Sequence, residues 1–211
     1  MGGAPRIFGG DDAMSIKYQT PPDESLKALQ ATAETMPKAY DRIANMLRDV
    51  HERPDDHWPH PVYVVGLKAM ASEKEGLSGA RLAGWRYLVK LEGARNHAVE
   101  VQQDADGSNH RFSELDKGPF IDGMCRVLEE KGFDEKTDAG VLKLSVVRIN
   151  TMGVFALWLQ ADDPNKEQVI AISPTPPYLK PWPETYTVEQ FQAALRDEAK
   201  RELESEDFFD A

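Results

Sequence analysis

Cys125 is the one thiol in a chain of 211 residues. It sits in Gly123-Met124-Cys125-Arg126, inside a stretch that reads as helix. A reactive thiolate needs a helix start, a nearby cation or a histidine partner. Arg126 is adjacent in sequence, but neighbours i and i+1 on a helix do not face each other. Cys125 is therefore expected to be a buried structural residue. Asp55, Asp56, His57 and His60 form a second cluster, with His51 just upstream. Asp and His are legitimate zinc ligands. Here Pro54, Pro59 and Pro61 punctuate the segment, which favours an extended, solvated linker over a metal site. Asp104-x-Asp106-Gly107 has the start of a calcium loop, but the Gly comes two places early and position 115 is Leu. A hairpin turn suffices. There is no G-x-S-x-G, G-x-x-x-x-G-K-[ST], H-E-x-x-H or G-x-G-x-x-G motif, and the physics behind each of those motifs is absent with it. No catalytic, metal-ligating or cofactor-binding residue is assigned, and no cofactor is expected.

Binding is the other use of side chains. The last residues, ESEDFFDA, set Phe208 and Phe209 among Glu204, Glu206, Asp207 and Asp210. Two aromatics in an acidic setting suit an apolar groove with a basic rim. Leu26, Leu29, Ala33, Met36, Tyr40, Ile43, Leu47 and Val50 are spaced alternately three and four apart. That spacing makes one stripe on a helix. Its functional reading is a helix that dimerises the chain or binds a partner. Its plain reading is an amphipathic helix lying on its own core. Phe208, Phe209, Met36, Tyr40, Ile43 and Leu47 are the candidate protein contacts. The stretch PTPPYLKPWP contains Pro174-x-x-Pro177, and is expected to be a strap pinned by Tyr178, Leu179 and Trp182 more than an SH3-type ligand.

Charge narrows the partner. Lys and Arg number 25 against 36 Asp and Glu, a net charge of −11. Phosphate backbones are held chiefly by Lys and Arg, so nucleic acid is set aside. The acidity is uneven. Residues 187–211 carry 3 basic and 8 acidic groups, net −5, while residues 62–186 carry 15 and 18, net −3. A protein partner would thus be basic. No apolar run of 18 residues occurs, so no membrane span is expected. One Cys excludes a disulfide framework. A cytoplasmic setting is expected, and the start at Met1 or Met14 stays open.

The elements follow from periodicity. Residues 1–21 read as a mobile arm. Residues 22–52 read as helix, kinked or split at Pro37. Val62–Leu67 is a short strand, and residues 72–84 are loop. Trp85, Tyr87, Val89 and Leu91 alternate with Arg86, Leu88, Lys90 and Glu92, the pattern of a half-buried strand. His97–Gln103 returns, and Arg111–Ser113 is a short third strand. Pro119 opens a helix that Gly132 ends. Leu142, Leu144 and Val146 alternate. Val154–Leu159 is apolar on both faces, which marks a covered central strand. Val169–Ile172 pairs with it. Thr187 and Gln190 fit a capping box at the last helix.

The order is α-βββ-α-βββ-α, with a pseudo-repeat of about 70 residues. Short turns predict an antiparallel sheet with flanking helices, an α+β fold. The domain spans 22–203, between the arm and an acidic tail, 204–211. In element order the chain resembles the type III secretion chaperone-like fold, which small acidic dimeric chaperones and related regulators use. That resemblance implies a non-catalytic protein-binding domain of chaperone, adaptor or regulator type, and a homodimer. The alternative is a small-molecule-binding domain or enzyme with a pocket between sheet and helix. Trp85, Tyr87 and Trp158 would line such a pocket, with His97 or His110 beside a carboxylate.

Overall fold

Pro37 decides how the chain begins. It has no N–H to donate, and it pushes the residue before it out of the helical region. Met36 is accordingly extended, at φ −64° and ψ 136°. The long stripe therefore folds as two helices, α1 (Asp23–Thr35) and α2 (Asp41–Glu52), joined through a single tight turn at Lys38–Tyr40. The computed structural model describes residues 16–89, 96–131 and 141–209, with residues 206–209 described by backbone alone.

A two-residue strand β1 (Ile16–Lys17) precedes these helices, and β2 (His60–Val64) follows them. A short helix α3 (Leu67–Ala71) leads to β3 (Arg81–Val89), β4 (His97–Gln102) and β5 (Arg111–Asp116). Helix α4 (Pro119–Lys131) then crosses to β6 (Leu142–Ile149), β7 (Val154–Gln160) and β8 (Gln168–Ala171). Helix α5 (Val188–Phe209) closes the described chain.

All of these strands join one sheet, in the order β5-β4-β3-β2-β6-β7-β8, with β1 also on β6. The α+β class holds. The purely antiparallel pairing does not. β2 runs parallel to β6, as does β1. The reason is the α4 crossover: it returns the chain to the far side of β2 with the same direction. Three strand ends also differ from the spacing-based expectation. β5 reaches Asp116, β3 starts at Arg81 within the expected loop, and Leu67 belongs to α3.

Three apolar clusters fill the two faces. On one face α1 and α2 place Leu29, Ala33, Leu47 and Val50 against Trp85, Tyr87, Val99 and Val101. On the same face, α3 and α5 place Met70, Phe191 and Leu195 against Val147, Ile149, Ala156 and Val169. On the opposite face α4 covers Val62, Leu88, Leu144, Val146, Leu157 and Ile170. β7 is covered on both faces, as its continuous apolar run requires. α4 and α5 both lie over β6 to β8, from opposite sides. The likeness of the two halves therefore stops at element order.

Two local devices matter to the site. A Cβ on Gly84 would meet Val101 O at 2.1 Å, so only glycine lets β3 and β4 pair there. The β6–β7 turn ends at Gly153 with φ +61°, a left-handed conformation that glycine adopts without strain. Thr187 and Gln190 make the reciprocal capping bonds, Gln190 N to Thr187 Oγ1 at 3.2 Å and Thr187 N to Gln190 Oε1 at 3.0 Å. The Pro-rich strap lies on the β8 end, with Leu179 buried and Trp182 packed on the α4 cluster. α5 continues through 204–209, so the backbone expected as a tail is helical there.

Candidate functional site

Alternation on β3 sends Trp85, Tyr87 and Val89 to the α1–α2 face. Arg86 must then point to the α4 face. A half-buried strand would leave Arg86 in water. The structure instead buries it, at 1% exposure, because α4 covers the second face too. Glu100 lies directly opposite Arg86 on β4 and is also 1% exposed. Its Oε2 accepts from Arg86 Nε at 3.0 Å and Nη2 at 2.6 Å. Its Oε1 accepts from Arg148 Nη2, carried by β6. One carboxylate thus bridges two guanidiniums from strands far apart in the chain.

The remaining partners are looser. Glu114 Oε1 stands 3.7 Å from Arg86 Nη2 and 3.8 Å from Arg148 Nη1. Asp116 Oδ2 stands 3.9 Å from Arg86 Nη2. Both acids are on β5 and partly exposed, and all three distances exceed a hydrogen bond. The Arg86 guanidinium lies 5.2 Å from the centre of the Phe155 ring, a cation–π contact. Two buried donors of this cluster, Arg86 Nη1 and Arg148 Nε, have no partner among the described residues.

Above these arginines is a cavity of about 250 Å³. Arg86 and Arg148 line it, with Phe120, Val154 and Phe155 as apolar wall and Asp116, Asn150 and Gly153 at its margin. Phe120 and Phe155 are 5.3 Å apart between ring centres. Phe120 is in the first turn of α4, whose N-terminal end carries partial positive charge. A second cavity of about 240 Å³ lies between α4 and the strap, against Arg126 and Trp182. It holds no buried charge.

His60 sits next to Arg86 across the β2–β3 pair. It is wholly buried. Burial first, and then the neighbouring Arg86, pull its pKa down to about 3, against a bond to Trp58 O that favours the charged form. The ring is neutral at pH 7. Its Nδ1 lies 2.7 Å from Trp58 O and so carries the proton, while Nε2 has no partner among the described residues.

The residues singled out from sequence are dispersed by the fold. His57 is buried, with Nε2 3.0 Å from Asp49 Oδ2 and Nδ1 3.2 Å from Leu88 O. His51 Nδ1 lies 3.1 Å from Leu26 O. The segment 53–61 is thus a tight turn entering β2, with two buried histidines, instead of a solvated linker. Among the described residues no group of three His, Cys, Asp or Glu could hold a metal ion. Cys125 is buried in α4. Trp85 and Tyr87 pack under α1 and α2, while Trp158 meets Tyr63 edge-on and donates to Glu167 at 2.9 Å. None of these three rings lines either of the two cavities described, and β3 and β7 present them to different helices. His97 and His110 are absent from the lining of the arginine cavity.

Of the stripe, Leu47 is fully buried and serves the core. Met36 and Ile43 are partly buried against the same cluster. Tyr40 is 54% exposed, the one large apolar side chain so open among the described residues. The side chains of Phe208 and Phe209 lie outside the described residues. Sequence reasoning passed over Arg86, Glu100 and Arg148. The signal was there: each is a charge flanked on both sides by aromatic or β-branched residues, and opposite charges on facing strands pair.

No family model, curated protein or solved structure matches the chain.

Proposed function

We propose that this chain is a non-catalytic binding domain, and that the cavity between the sheet and the start of α4 is where it takes a small ligand. The observation that carries this reading is that Arg86, fully buried, and Arg148, partly buried, line that cavity with one buried donor each unspent. A buried donor without a partner costs roughly 1–3 kcal/mol, more for a charged group. A fold retains such groups where something else is to meet them. The wall is apolar and the floor is polar, which is the ordinary composition of a ligand pocket. The stripe of α1 and α2 is spent on the core, which leaves less apolar surface for the chaperone-like alternative, a basic protein partner.

The test is a fragment screen by NMR on the full-length chain. Binding compounds should shift the amides of Phe120, Asn150 and Gly153, and Arg148→Met should abolish those shifts. A diverse library that shifts none of these amides would overturn the reading.

A further inference from the structure

Resting on that reading, we infer that the ligand is a monocarboxylate with a flat apolar body. The trio of Arg86, Glu100 and Arg148 is unbalanced by itself. Arg86 and Arg148 bring two positive charges, and Glu100 returns one negative charge, so the trio is left at +1. Glu114 and Asp116 form only long ion pairs with it, at 3.7–3.9 Å, and stay partly in water, so they offset the arginines more weakly than Glu100 does. Among the described residues Glu100 is the one carboxylate at hydrogen-bond distance and is shared between both cations, so their charge is only half offset by direct contact. Arg86 is 1% exposed and lines the cavity, its Nη1 has no partner, and Arg148 Nε is in the same state. The start of α4 adds partial positive charge at the same wall.

The charge of the ligand follows from what already surrounds the pair. One added negative charge neutralises the trio. A second would face Glu114 and Asp116 without a counter-charge. A dianionic phosphate is therefore disfavoured. A carboxylate is planar and fits the guanidinium fork. The body of the ligand meets Phe120, Phe155 and Val154, and the two rings are 5.3 Å apart. A cavity of about 250 Å³ limits that body to one small ring or a short chain.

Calorimetric titration of the full-length chain with benzoate, benzamide, benzylamine and inorganic phosphate, at one ionic strength, tests the assignment. Benzoate should bind. Benzamide, which keeps the shape and loses the charge, should bind at least about tenfold more weakly. Phosphate should bind more weakly than benzoate, and benzylamine not at all. Arg148→Met should remove benzoate binding. Asp116→Asn changes only a rim side chain, so the fold is not at risk, and it should strengthen benzoate roughly threefold. Equal affinity for benzamide and benzoate overturns the carboxylate. Phosphate tighter than benzoate overturns it in favour of a phosphoryl group. No benzoate binding also overturns it, and the fragment screen then decides separately whether the cavity remains a ligand site.

Discussion

The side chains that matter most here are charged residues held where water does not reach. Glu100 is the pivot of the buried network. Removing one partner of a buried ion pair leaves uncompensated charge, at a cost on the order of 3–5 kcal/mol. Glu100→Gln strands two guanidiniums at once, so urea unfolding should show a loss in that range. A loss below about 1 kcal/mol would mean that Glu114 or water already shields the pair. His60 supplies a pH dependence. Its folded pKa is near 3, against an ordinary value of 6.5. The unfolded chain therefore takes up a proton on His60 that the folded chain refuses. Its stabilising effect is complete above pH 6.5 and is lost progressively as pH falls toward 3. Unfolding free energy should drop between pH 7 and pH 5, by at most about 1.4 kcal/mol per unit for this group. His60→Leu should flatten that slope. An unchanged slope in the variant would assign the acid sensitivity elsewhere.

At the scale of elements, the stripe along α1 and α2 divides by depth. Leu47 is buried and Tyr40 projects from the turn between the helices. Leu47→Ala leaves a cavity and should cost about 2–5 kcal/mol. Tyr40→Ala should fall within about 0.5 kcal/mol. Chemical denaturation of both variants checks the pair of values, and similar costs would contradict this placement. Periodicity reported the stripe correctly. It could not say which of its positions face the sheet, because Pro37 splits it and the two helices then turn independently. The half-buried pattern of β3 was legible in the same partial way. Alternation identified two faces, but only the packing of α4 decided that the face carrying Arg86 is also interior. Strand ends were unreadable for a related reason. Propensity sees one strand, whereas pairing partners set where a strand stops.

For the molecule as a whole, the sheet is assembled from distant parts. β2 pairs with β6 across more than 80 residues, Val62 opposite Val146. The first half of the chain has no second cover for Val62, Leu88 and Ala98 without α4. Nor does it contain Arg148, the third member of the charge network. A fragment ending at residue 117 should therefore fail to fold alone. Its amide NMR spectrum should be poorly dispersed, and mixing it with residues 118–211 should restore dispersion. A well-dispersed spectrum for the first fragment would show that the two halves are independent units.

The sequence by itself determined the α+β class, the covered central strand β7, the capping box of α5 and the interruption at Pro37. Each of these rests on residues within one or two turns of each other. Local sterics and side-chain spacing suffice for them. The tertiary structure alone decided that the sheet is mixed and that its second face is buried. It alone brought Arg86, Glu100 and Arg148 together beneath a cavity. Those outcomes depend on the crossover of α4, which joins strands by burial and not by spacing along the chain. Hydrophobic area is non-directional and acts across any sequence distance, so a periodicity read along the chain does not contain it.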